Sequence, residues 1–382
     1  MTTSCPQKST GTGFALNNKI SLRQLQALLF LEIFGFGVTA LPRTAAEHAS
    51  QDGWISVLLA VVFIVPVVVI ICCIPKLAGD TSFHDFACKM LTKPIGVLVS
   101  LVFCARLVLM ASFNLRIFAE ITRQTMLDTT PFWLIFATML LLAAYGAAKG
   151  IETRARMAEI LILVVLLPLI FVFGISGRDI DLTNLAPILA ASPQNIFAGS
   201  FSAFFAFSGI EVLLLFGPYL SRPKNLTKSA SRVVITIGAF MALVTAVTIA
   251  RFGPANIIHQ MWPVLKMMDT ISLPGSIIDR QGALIMTFWI ISAFATINAA
   301  LFFSSLLLKD VVKRGRHSYY ILGLIPVIAF LAHMPQNLTR VYAYHGLVNS
   351  TFGLATMLAI PLLLLAATKI RRRKSEKDHA QS

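Results

Sequence analysis

Long apolar runs alternate with short polar links over almost the whole chain. Ten runs are long enough to be read as helices that cross a bilayer, at 21–49, 53–75, 94–122, 131–149, 156–176, 196–220, 227–250, 280–308, 318–334 and 339–368. Roughly 20 apolar residues in a helix span the hydrocarbon core. The links, such as Pro75-Lys76 and Ser221-Arg222-Pro223-Lys224, are too short for a separate soluble domain. The pattern predicts one membrane domain over 20–368, a polar tail at 1–19 and a basic tail at 369–382.

Two runs carry glycine at mid-membrane. The first contains Phe34-Gly35-Phe36-Gly37-Val38-Thr39-Ala40-Leu41-Pro42, and the sixth contains Phe204-Phe205-Ala206-Phe207-Ser208-Gly209-Ile210-Glu211. Glycine lets a helix unwind at low steric cost. Backbone unwound at that depth has to line a cavity or lie buried in protein, since lipid cannot satisfy it. A second half-helix starting near Val38 would present free amides to a carboxylate. Glycine equally serves close helix–helix packing. The two interruptions fall in the first and sixth of ten runs, corresponding places in two halves of five. Paired broken helices of that kind mark the binding site of inverted-repeat transporter folds. The predicted class is therefore an all-α polytopic membrane protein of ten transmembrane helices in a 5+5 inverted repeat, with helices 1 and 6 broken.

Composition agrees with a membrane class. The 382 residues are 57% hydrophobic and 13% charged, with mean hydropathy +0.78. The first nineteen residues lack the apolar core of a cleaved signal peptide, so the first run is expected to stay in the mature chain. A net charge of +15 would admit nucleic acid as a partner, but the placement of the charges argues against it. With the N-terminus inside, only Arg43, Arg116, Arg123, Arg178, Arg251, Lys266, Arg280 and Arg340 fall outside, and Arg106 falls within a run. The remaining Lys and Arg lie on the inner side, which places both termini in the cytoplasm. The stretch 369–374 then anchors the last helix at anionic headgroups. The five cysteines form no disulfide framework. Neither metal-ligand spacing nor a nucleophile–base arrangement is present, so no metal, cofactor or catalytic residue is expected.

Charged groups inside the runs are the candidates for function, because they are costly there. Glu32 lies one turn before Gly35; it either faces a cavity or pairs with a cation, and Arg106 in the third run is the candidate partner. Glu211 follows Gly209 by two residues, near the start of an inner half-helix. Asn114 in the third run and Thr296 and Asn298 in the eighth either line a site or staple helices. The last two runs read as scaffold.

The glycine stretches also carry a resemblance. Gly35 to Pro42 looks like the G-x-G-x-x-x-x-P element in the first helix of the amino acid–polyamine–organocation superfamily, whose fold is LeuT-like. Phe207-Ser208-Gly209-Ile210-Glu211 looks like the F-x-G-x-E element of its sixth. Further on, Phe252-Gly253-Pro254, Trp262-Pro263-Val264-Leu265-Lys266-Met267-Met268-Asp269 and Ile271-Ser272-Leu273-Pro274-Gly275 resemble the outer loop of the spore-germination permease family, the B subunits of nutrient germinant receptors. The lead-in Ile20-Ser21-Leu22-Arg23-Gln24 fits the same family, and the likeness runs over residues 20 to 370. It implies a receptor subunit in the spore's inner membrane that binds a small germinant such as an amino acid, with A and C subunits as partners. The expected ligand site comprises Gly35, Phe36, Gly37, Val38, Thr39, Phe207, Ser208 and Gly209, with the charged groups Glu32, Arg106 and Glu211 for gating or charge. The alternative on the same fold is an amino-acid permease, with proton coupling as one option. The apolar loop 252–280 suggests a short helix over the outer vestibule, a lid or an interfacial anchor.

Orientation is open to a direct measurement. Single cysteines introduced between 252 and 262 are expected to react with an impermeant thiol reagent added outside intact cells. Labelling only after permeabilisation would invert the topology.

Overall fold

The computed structural model describes residues 18–125, 127–176, 180–221, 223–269 and 281–380. Helical segments occupy all ten predicted runs, and no strand is found among the described residues. The helices are α1 (Leu22–Ala49), α2 (Gly53–Ala78), α3 (Phe83–Met90), α4 (Lys93–Thr125), α5 (Phe132–Ala148), α6 (Ile151–Ser176), α7 (Pro193–Phe204), α8 (Leu226–Phe252), α9 (Pro254–Ile257), α10 (Pro263–Asp269), α11 (Gln281–Val312), α12 (His317–His333), α13 (Leu338–Val348) and α14 (Ile360–Ala380). Among the described residues, Gly37–Ala78, Lys93–Thr125, Leu226–Phe252, Thr287–Val312 and Leu338–Arg373 meet the length and hydropathy needed for membrane crossing. The chain is a multi-pass membrane protein. Its basic C-terminal stretch continues the last helix rather than leaving it.

Local sequence explains where these helices begin. Ser21 and Gln24 close a reciprocal capping box at the start of α1. Ser82, Ser192 and Asn337 cap α3, α7 and α13 through their side-chain oxygens. α11 is the central post, packing on α1, α4, α5, α6 and α12, while α2 lies against α7 and α8. One end of the bundle carries both ends of the described chain. There Lys19 pairs with Asp80, the Arg371 guanidinium reaches the carbonyl of Leu91, and Ile20 exchanges two backbone hydrogen bonds with Tyr219 and Ser221. At the opposite end Asp52 accepts from the amides of Leu189 and Ala191, both at 2.8 Å.

The sixth run is broken as expected, and by a wider margin. α7 ends at Phe204, and the chain continues as 3-10 turns over Phe205–Phe207, Ile210–Leu215 and Gly217–Tyr219. Gly209 sits at φ 113°, a conformation that a side chain would strain. No inner α-helical half follows it. The tenth run also departs from regular helix, through π-helical turns over Asn349–Gly353 and Ala355–Ala359. Turns of this kind often mark functional positions.

The first run differs from expectation, because α1 is one continuous helix from Leu22 to Ala49. Gly35 and Gly37 serve close approach instead. A Cβ at Gly35 would lie 2.7 Å from Ser292 Cβ on α11, and one at Gly37 would lie 2.5 Å from the carbonyl oxygen of Ala206. A continuous helix keeps its amides bonded internally, so no free N–H groups arise at Val38 and Thr39. Pro42 lies inside α1 and removes one donor, which leaves the Val38 carbonyl, four residues earlier, without its helical partner. What the sequence of α1 frees is an acceptor, not a row of donors.

Gly37→Ala is therefore expected to weaken the contact between α1 and the sixth run. Overpacking typically costs about 1–3 kcal/mol. A lower Tm of the purified protein in detergent would register it, whereas an unchanged Tm would show that the neighbouring backbone yields freely.

Candidate functional site

A cavity of about 250 Å³ lies at mid-bundle, beside the break in the sixth run. It is walled by α1, α4, the 202–211 segment, α11 and the tenth run. The lining reaches from Glu32, Arg106 and Glu211 at mid-depth to Thr44, Ile117 and Tyr342 near the end of the bundle opposite the termini. Toward the terminal end the interior is filled, with Leu213, Phe216 and Phe303 buried and the Phe216 and Phe303 rings 5.1 Å apart.

Arg106 organises the floor. It is 1% exposed, and its Nη1 forms an ion pair with Glu211, which is equally buried. Its Nη2 donates to Ser208 Oγ at 2.7 Å and to Asn349 Oδ1 at 3.4 Å, and Ser208 Oγ donates to the same oxygen at 3.1 Å. The other carboxylate oxygen of Glu211 accepts from the Gly209 amide at 2.9 Å. The Glu211 side chain thus folds back over the break and satisfies an amide that the lost helix would otherwise leave bare. Gly353 lacks the Cβ that would come within 3.5 Å of Arg106 Nη2. The π turns of the tenth run and the break of the sixth thus close around one guanidinium.

The expected site residues divide. Gly37, Thr39, Ser208, Gly209, Glu32, Arg106, Glu211, Asn114 and Thr296 all line the cavity. Asn114 also leaves its side-chain oxygen without a partner among the described residues. Gly35, Val38 and Phe207 do not line it: Gly35 packs on Ser292, and the other two are fully buried. The side chain of Phe36 lies outside the described residues. Arg106 is partnered by Glu211, not by Glu32. Asn298 is a staple, accepting from Arg154 Nε and donating to the Ala143 carbonyl at 2.8 Å.

Several lining residues were not anticipated. Tyr342, His345, Gly346 and Asn349 face the cavity from the tenth run, which had read as scaffold. Arg154 had counted as an inner-loop charge, yet it is buried on α6 with its guanidinium over the rings of Phe302 and Phe303. The loop expectation holds in part. α10 packs on α1, α8 and α11, and Trp262 just before it donates to the Tyr342 hydroxyl at 2.6 Å. Ile271 and Leu273, assigned to the same helix from sequence, lie outside the described residues, as does the side chain of Met268.

Removing one partner of a buried ion pair strands the other charge, at a typical cost of about 3–5 kcal/mol. Arg106→Leu and Glu211→Leu are each expected to lower Tm strongly. The double substitution should be far milder than the sum, as measured in a double-mutant cycle. Additive losses would show that the two side chains do not act as a pair.

Comparison with known proteins agrees with this architecture. The family model described as "Spore germination protein" (spore permease) matches residues 19–341. Spore germination protein YndE of Bacillus subtilis is 28% identical over 361 residues, covering 94% of this chain and 99% of the relative. Spore germination protein B2 of the same organism is 23% identical, covering 93% and 97%, and GerLB of Bacillus cereus is 22% identical, covering 94% and 96%. Among solved structures, MhsT in complex with L-phenylalanine superposes with a TM-score of 0.64 at 16% identity, over 91% of this chain and 87% of that one. The fold is thus that of the LeuT-like transporters, and the family is non-enzymatic. The chain belongs to the spore germination permease family.

Proposed function

We propose that this chain is the membrane subunit of a spore nutrient germinant receptor, and that it binds an amino-acid-sized germinant in the mid-bundle cavity. The observation that carries this reading is the cavity itself. Its volume of about 250 Å³ lies just below the ~300–1,000 Å³ typical of sites for drug-sized ligands. Apolar side chains such as Leu107, Met110 and Phe205 share its wall with Arg106, Glu211, Asn114 and Glu32, a mixture that suits a small ligand with both apolar and charged parts. The bound L-phenylalanine of MhsT gives the same fold a precedent for an amino acid.

The germinant would enter from the outer end, past Tyr342 and Trp262, and settle against the break in the sixth run. Without free amides on α1, the ligand's contacts would come from side chains and from the irregular backbone near Ser208 and Gly209. Occupancy would favour one arrangement of the Arg106 network over another, shifting a population that exists without ligand. In this reading the chain sits in the spore's inner membrane with both termini in the cytoplasm, assembled with A and C subunits. Amino-acid transport remains the second reading, favoured by the LeuT-like fold and by the acid Glu32 on the cavity wall.

A panel of amino acids, sugars and nucleosides added to the purified chain tests the binding step. At least one amino acid is expected to raise Tm, by mass action on the folded state. Uptake of that radiolabelled compound into vesicles holding this chain alone should stay at background. Robust accumulation would favour the permease, and a panel with no shift would remove the cavity as a ligand site.

A further inference from the structure

Glu32 is an acid without a base. It is half-buried on α1, with the Cγ of its side chain against Gly209, where a Cβ would approach to 2.9 Å. Its carboxylate forms no hydrogen bond or ion pair among the described residues. Every charged group around it is placed differently. Arg106 is committed to Glu211, Ser208 and Asn349, with only its Nε unpartnered. Arg154 gives its Nε to Asn298 and stacks over two phenylalanine rings. Its Nη1 has no partner, and Arg154 and Glu32 both line a separate cavity of about 20 Å³ without closing an ion pair. That space admits about one water, by the ~10–15 Å³ that a single water needs. His345 completes the ionisable groups on the main cavity's wall, apart from the Tyr342 phenol.

The charges of the main cavity therefore do not close on themselves. Arg106 and Glu211 cancel, and Glu32 is left facing open space. From this arrangement we infer that Glu32 is the residue that reads a protonated amine on the ligand, which restricts the ligand class to small primary ammonium compounds. The inference rests on the cavity being the ligand site. A divalent metal ion is a poor alternative occupant, since it would want several oxygen ligands and no cluster of three or more His, Cys, Asp or Glu exists among the described residues. An ammonium group wants fewer. Glu32 supplies the charge, and the side-chain amide of Asn114 belongs to the same wall. A carboxylate with no partner, on a wall whose other charges are matched, is the complement of an amine.

The test compares matched probes on the purified chain in nanodiscs: the twenty protein amino acids, their N-acetyl derivatives and the 2-hydroxy acids that replace the amine by a hydroxyl. At least one amino acid is expected to bind. Acetylation or hydroxyl replacement should weaken it roughly ten- to hundredfold, the value of a charge-assisted hydrogen bond. In Glu32→Gln the amino acid should weaken by a similar factor, and the difference between amine and hydroxyl should collapse. Equal affinity for amine and N-acetyl forms in the wild-type chain would overturn the inference while leaving the cavity reading intact. An amine preference that persists in Glu32→Gln would also overturn it. Binding of none of the probes would overturn both. If Glu32→Gln does not fold, the probe series on the wild-type chain decides alone.

Discussion

A guanidinium held at mid-membrane has to be met by an opposite charge, and much of the irregular structure in this protein exists to meet it. Arg106 comes from a regular helix, but its partners come from backbone that is not regular. Glu211 and Ser208 stand on either side of the positive-φ glycine of the sixth run, and Asn349 stands at the first wide turn of the tenth. A regular helix in either place would present these groups at a different angle. The break and the bulge cost backbone hydrogen bonds, which the same side chains partly restore, as when Glu211 caps the Gly209 amide. The cavity lies among these two irregular segments, α1, α4 and α11.

The ion pair does not by itself recognise a ligand, because its charges are already matched. It fixes the floor, and the apolar side chains around it, such as Leu107 and Met110, supply the low-dielectric surroundings in which one further charge counts heavily. In the proposal made here Glu32 is that charge. The same low polarity makes rearrangement around Arg106 costly unless a partner is exchanged for another, which suits a device with two discrete states rather than a graded one.

How much of this was legible depended on what each residue type can signal. The fold class followed from run length and charge placement, which are properties of a segment as a whole. Arg106, Glu211 and Glu32 stood out because charge within a span is rare, but sequence gives depth along a helix more readily than the direction it faces between helices. Of the two alternatives open for Glu32, the structure therefore takes the cavity-facing one, and Arg106, its candidate partner, pairs with Glu211. Gly35 and Gly37 were ambiguous in principle, since the absence of a Cβ permits both unwinding and contact, and α11 decides for contact through Ser292. The cavity face of the tenth run had a readable signal: Tyr342, His345, Gly346 and Asn349 fall at helical spacing in an otherwise apolar run. Arg154 gave none, because a cation beside a link resembles any other interfacial cation.

The backbone pairing of Ile20 with Tyr219 and Ser221 joins the lead-in of the first helix to the exit of the sixth. Both segments lie at the end of the bundle away from the cavity's outer lining, below the filled interior around Phe216 and Phe303. They are joined by main-chain groups, so the latch is largely indifferent to side-chain identity. With net contributions of about 1 kcal/mol per hydrogen bond, such a latch biases the molecule toward closure without locking it. Substitutions on the cavity wall can thus leave this latch untouched, because the two are built from different atoms.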